Sequence, residues 1–136
     1  MSIAPTIDEI ASLRRWTGMP LLYCRTLLRD TSPSMRQKLL LAVRTQEGAK
    51  YLRDPIEVDP VFATAFEQAT EEANRLIKEF VAAERAKLQA EGMGQLDFMF
   101  RHTSHLYWSY LKRLLKERHA VDWLSPAEMN PWIHFD

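Results

Sequence analysis

The sequence predicts an all-α protein, and three observations carry that prediction. Leucine and alanine together number 31, against 11 for valine and isoleucine. Straight or small side chains lose little freedom in a helix, whereas β-branched ones are restricted there. Only 4 glycines occur in 136 residues, and they fall where apolar periods end. No stretch alternates apolar and polar residues for long enough to read as a strand. The expected architecture is an elongated helical bundle built on a long antiparallel helix hairpin, with short N-terminal helices and a packed C-terminal tail. It is read as a single domain over 1–136. Short helices occupy 1–53, a connector 54–60, the hairpin 60–119 and the tail 120–136.

The elements follow from local signals. Thr6-Ile7-Asp8-Glu9 fits a capping box, in which the Thr6 hydroxyl and the Glu9 carboxylate each satisfy an orphan N–H. The helix it opens is expected to bury Ile7, Ile10, Ala11 and the Arg14 stem, and Gly18 can end it in a left-handed conformation. Pro20 suits the first position of a second helix that runs to about Arg29 and buries Leu21, Cys24, Leu27 and Leu28. Ser32-Pro33 starts a third, through Leu39, Leu40, Ala42 and Val43 to about Gln46, and Gly48 interrupts it. Pro55 and Pro60 disfavour helix across the connector. Asp59 caps the next helix, whose Phe62, Phe66, Ala69, Ala73, Leu76, Phe80 and Ala83 recur at steps of 4 and 3. Glu71 is placed to pair with Arg75 four residues on.

Gly92-Met93-Gly94 ends that run, and Gln95 to His119 forms the return helix. Its core face is Leu96, Phe100, Thr103, Tyr107, Tyr110 and Leu114, flanked by Met99, Leu106 and Leu111. Ser125-Pro126-Ala127-Glu128 signals one more short turn, stopped by Pro131. Trp123, Trp132, Ile133 and Phe135 are too apolar for water, so the tail is expected to pack back on the helices. At about 1.5 Å per residue the first hairpin helix would reach about 45–50 Å. That exceeds the diameter of about 35–40 Å expected for a compact domain of this size. Elongation with self-association, as a homodimer or other homo-oligomer, is the expected outcome.

Composition narrows the function classes. Hydrophobic residues make up 46% and charged residues 26%, which is globular rather than disordered. One cysteine, Cys24, excludes an internal disulfide and a multi-cysteine metal site. No apolar run approaches a membrane span, and MSIAPTIDEI lacks the basic and greasy segments of a signal peptide, so a cytoplasmic protein is expected. Net charge is zero but zoned: +5 over 1–53, −6 over 54–100, +4 over 101–119 and −3 over 120–136.

Leu13-Arg14-Arg15-Trp16-Thr17-Gly18-Met19-Pro20-Leu21-Leu22-Tyr23-Cys24-Arg25 resembles the start of bacterial elongation factor Ts, the ubiquitin-associated-like N-terminal module of that family. Leu-Arg, then Thr-Gly, then Cys followed by a basic residue stand at matching intervals. The Thr-Gly helix pair is also similar to that of the ribosomal stalk protein's C-terminal domain. The likeness covers residues 13–25, and Met19-Pro20 departs from the small residues that the elongation factor has there. The resemblance implies a small helical module that docks on a protein, with Thr17 and Gly18 at the contact and the translation machinery as a setting. It implies no catalytic role.

Several constellations invite chemistry. Arg101, His105, Trp108, Lys112, Lys116 and His119 form one stripe opposite the Leu96–Leu114 face. Cations around an indole can hold phosphates and stack a base, or dock an acidic protein with Trp108 as anchor. Alternatively, the stripe is a solvated face whose tryptophan the tail or the first helices cover. Among contact readings, a protein partner fits the neutral net charge better than nucleic acid does. His102 and His105, with His119, could hold a metal only if another segment supplied ligands; ordinary surface histidines are the competing reading. Glu67, Glu71, Glu72 and Glu79 read as solvent-facing helix charges. Cys24 reads as a core residue, and Ser32, Ser34 and Ser125 as caps or turns. No Walker loop, dinucleotide fingerprint or G-x-S-x-G is present, so no cofactor and no catalytic residue is predicted.

The expected function is therefore a non-enzymatic protein–protein interaction module, such as a small regulatory or immunity-type protein. Its partner-binding residues would be Arg101, His105, Trp108, Lys112, Lys116, Thr17 and Gly18. The alternatives are a small nucleic-acid-binding regulator using the basic face of 95–119, and a metal-dependent enzyme with a His102/His105 site.

Overall fold

The computed structural model describes residues 4–91 and 103–135. Among them every regular element is helical and no strand occurs. The α-helices are α1 (Ile7–Thr17), α2 (Leu21–Asp30), α3 (Pro33–Thr45), α4 (Ala63–Ala90), α5 (Thr103–His119) and α6 (Pro126–Met129). Two 3-10 turns, Pro55–Val58 and Pro60–Phe62, precede α4. No described helix is long and apolar enough to cross a membrane. The chain forms two compact units, Met1–Pro55 with Pro126–Ile133, and Ile56–Ser125 with His134–Asp136.

In the first unit the capping signals act as the residue types dictate. The Thr6 hydroxyl accepts the Glu9 N–H at 3.2 Å, and the Glu9 carboxylate accepts the Thr6 N–H at 2.8 Å. Arg36 of α3 reaches the same carboxylate at 2.7 Å, so the cap also ties α3 to α1. Gly18 closes α1 at φ 72°, and its N–H donates to the Arg14 carbonyl. Ser32 caps α3 by accepting the Met35 N–H at 3.1 Å. Leu13, Cys24, Leu28, Leu39, Ala42, Val43, Leu52 and Met129 are buried.

Two expected faces are buried only in part. Ile7 is 85% exposed and Arg14 is exposed, while Ile10 and Ala11 are half-buried, because α1 turns Leu13 inward. Leu21 is half-exposed, because α2 turns Cys24 and Leu28 inward and leaves its first turn outside.

A polar clasp closes this unit. Asn130 is fully buried, and its carboxamide accepts the Leu52 N–H at 2.8 Å. The same group donates to the carbonyls of Leu52 at 2.8 Å and Pro126 at 2.7 Å. Gln46 grips the next residue in the same way, exchanging 2.7 Å bonds with the Arg53 N–H and carbonyl. Neighbouring residues of an irregular segment are thus each held as a residue is held in an antiparallel ladder, with side-chain amides in place of strands. Asp54 follows, buried, and accepts a bond from Lys38 at 2.6 Å. The Trp16 indole N–H donates to the Gln46 carbonyl at 3.0 Å, and Trp132 of the tail meets its ring edge-on at 6.5 Å.

In the second unit Asp59 accepts the Val61 N–H at 3.0 Å, and two turns of 3-10 character lead into α4. At 28 residues α4 is about 42 Å long. It buries Ala69 and Ala73 against Leu111, Leu114 and Leu115 of α5, with Val121 and Trp123 completing the cluster. Small residues on one helix let the other approach closely, and the leucines fill the remaining space. Phe66 meets Trp123 edge-on at 6.5 Å, and the Trp123 N–H donates to Glu57 at 3.0 Å. Past α5 the chain reverses at Ala120, a non-glycine residue at φ 54°, and the Val121 N–H turns back to the Leu115 carbonyl.

Candidate interaction surface

The α1–α2 corner is set by Thr17. Its hydroxyl donates to the Leu13 carbonyl at 2.8 Å and accepts the Met19 N–H at 3.1 Å. One side chain therefore fixes both sides of the Gly18 turn. The buried Cys24 thiol lies 3.8 Å from the same hydroxyl. Beyond the turn, Leu21 is 50% and Leu22 is 73% exposed. Arg14 and Arg15 of α1 and Arg25 of α2 are exposed, with no ion-pair partner among the described residues. Sequence reasoning marked Thr17 and Gly18 but placed Leu21 inside; a single leucine pair at a helix start carries no period that would reveal its direction.

On α5, His105 and Trp108 lie one turn apart, with rings 5.4 Å apart at 77°. Trp108 is half-buried and packs against the unit's core cluster rather than opposing it. Phe135 meets its outer side edge-on at 5.4 Å and 90°. The exposed His105 ring bonds the Phe135 carbonyl through Nε2 at 2.8 Å. Lys116, further along the stripe, pairs with Asp122 at 2.6 Å. Lys112 lies between, half-buried, and His119 lines a different groove. Arg101 and His102 lie outside the described residues, as do Gly92, Gly94, Leu96, Met99 and Phe100. By sequence alone Phe135 is one apolar tail residue among several. Its seat on Trp108 spans 27 positions, a separation at which local pattern is silent.

A groove of about 730 Å³ runs along α4 and α5, lined among others by Gln68, Ala69, Glu72, Arg75, Leu114 and Arg118. Arg75 bonds Glu72 and Glu79, the latter at 2.9 Å, and Arg118 reaches Glu72 at 3.2 Å. Arg75 therefore pairs with residues three before and four after, not with Glu71 as expected. The Arg75 hydrogen bond, aided by the Arg118 charge, holds the Glu72 carboxyl below its ordinary range. It stays ionised near neutrality, where a general acid would need its proton. No group of three or more His, Cys, Asp or Glu is placed to hold a metal among the described residues. The surfaces on view are thus an exposed leucine pair at the start of α2 and an aromatic face on α5 that the chain's own Phe135 meets. Compared with known proteins, the chain matches no family model, no curated protein and no solved structure.

Proposed function

We propose that this chain is a non-enzymatic protein-interaction module that docks through the α1–α2 corner. The observation that supports this most is the exposure of Leu21 and Leu22 side by side on a turn that Thr17 and Gly18 make rigid. Burying a fully exposed leucine contributes on the order of 1.5–3 kcal/mol, and the exposed parts of Leu21 and Leu22 each offer a share of that to a partner. The exposed Arg14, Arg15 and Arg25 on the same two helices favour an acidic partner. The second unit serves, in this reading, as scaffold. Its α4 and α5 are read as an antiparallel hairpin. Support comes from Phe66 meeting Trp123 just past α5, while Glu72, further along α4, meets Arg118 inside α5.

Affinity capture tests the reading. The wild-type chain should retain a stoichiometric protein partner, Leu21→Ser with Leu22→Ser should lose it, and Trp108→Ala with Lys112→Ala should keep it. Retention by the leucine variant would overturn the assignment of the docking face.

A further inference from the structure

We infer that the His105–Trp108 face of α5 is a second binding site, for an acidic peptide segment that carries an aromatic side chain, and that Phe135 fills it as a tethered stand-in. This goes beyond the α1–α2 reading and stands without it. What the face accepts is visible in what sits there. The His105 ring takes a main-chain carbonyl at 2.8 Å, and Trp108 takes the aromatic ring of the same residue at 5.4 Å and 90°. The carbonyl and the ring are separated by the Cα and Cβ of one residue, which is the spacing of a peptide; a nucleobase carries its carbonyl on the ring itself, and a small anion has no ring. The His105 and Trp108 rings stand at 77° to each other and form a corner that one aromatic side chain can enter.

Charge points the same way. Helix α5 has four basic residues against one acidic one, +3 in all, and the segment that supplies Phe135, 120–136, carries −3. Lys116 already holds an acid from that segment, Asp122, at 2.6 Å. Both members of that pair are well over half exposed, so the pair is weak and its acid can be exchanged for another. The ring contact and the exposed hydrogen bond to His105 are likewise modest. They are of the same order as the entropy of holding the tail residue in place. Such a contact competes with an incoming segment rather than excluding it.

The test uses the full chain, labelled with nitrogen-15, and a synthetic peptide Pro-Trp-Ile-His-Phe-Asp, the sequence of residues 131–136. Phe135→Ala should move the Trp108 indole N–H signal. Peptide at about millimolar concentration, the range of a short tether's effective concentration, should return that signal toward its wild-type position. Wild type should need at least tenfold more peptide, and a peptide with alanine for phenylalanine should have no effect. His105→Ala in the Phe135→Ala chain should weaken the response at least threefold. His105 is exposed, so this variant tests the site without depending on core packing. No response in a folded Phe135→Ala chain, an equal response in wild type, or shifts confined to residues away from α5 would each overturn the proposal. So would a poly-dT oligonucleotide that shifts the same signals at lower concentration than the peptide.

Discussion

The two units solve the same packing problem with opposite materials. The first buries four leucines and closes over them with polar side chains that are themselves buried, Asn130 and Asp54. The second buries alanines, leucines and a tryptophan, and keeps its Glu72, Arg75, Glu79 and Arg118 network on the rim. A buried polar clasp makes demands that a rim network does not. Every donor and acceptor in it must be met in one geometry, or an unpaired group stays out of water. The first unit should therefore fail sharply when its polar residues are altered, and the second only when its apolar ones are.

The largest effect should come from Asn130→Ala. It orphans the Leu52 N–H and removes donors to two carbonyls, so the chain should lose about 3 kcal/mol, read from urea denaturation followed by circular dichroism. A loss below about 1 kcal/mol would erase the contrast between the units. A matched pair of helix ends sharpens it next. Both units reverse the chain through the left-handed region, one with Gly18 and the other with Ala120. Nothing lies within 4 Å of a Cβ placed on Gly18, so Gly18→Ala should cost about 1 kcal/mol from conformation alone. Ala120→Gly should raise stability by about the same amount, as the same denaturation experiment would report.

A pH scan isolates the α1 cap. The Thr6 N–H, followed by the Arg36 contact, holds Glu9 below its ordinary value of 4.5. A depressed carboxyl stabilises the fold above that value, and its contribution fades as acid protonates it. Glu9→Gln should therefore cost about 1 kcal/mol at pH 7, and the difference from wild type should shrink steadily below pH 4.5. Smallest of all, Glu72→Gln should shift the urea midpoint only slightly, and that shift should vanish in high salt. A shift that persists there would show that the rim network is structural after all.

Local grammar was readable in the sequence wherever the physics is local. Thr6 and Ser32 cap as their spacing dictates, and Gly18 adopts the left-handed turn, whereas Asp59 caps the 3-10 turn Pro60–Phe62 and α4 itself starts only at Ala63. What local pattern could not assign is direction. Ile7, Ile10 and Ala11 form as credible an inner stripe as Leu13 does, and only the presence of two other helices selects Leu13. Nor could it assign polar pairs across long separations. Asn130 meets Leu52 at a distance of 78 positions, and an asparagine between methionine and proline reads as a turn residue. At the candidate surfaces Thr17 and Trp108 were legible by type, whereas Leu22 and Phe135 gained meaning only from exposure and contact.

The amide grip on residues 52 and 53 has one more consequence. Unpaired backbone in an irregular stretch is where foreign chains add as strands and where aggregation begins. Here Asn130 occupies the Leu52 peptide groups and Gln46 those of Arg53, so neither residue offers a bare edge to a visitor. Their amide hydrogens should exchange with heavy water as slowly as those inside a helix, although no helix contains them.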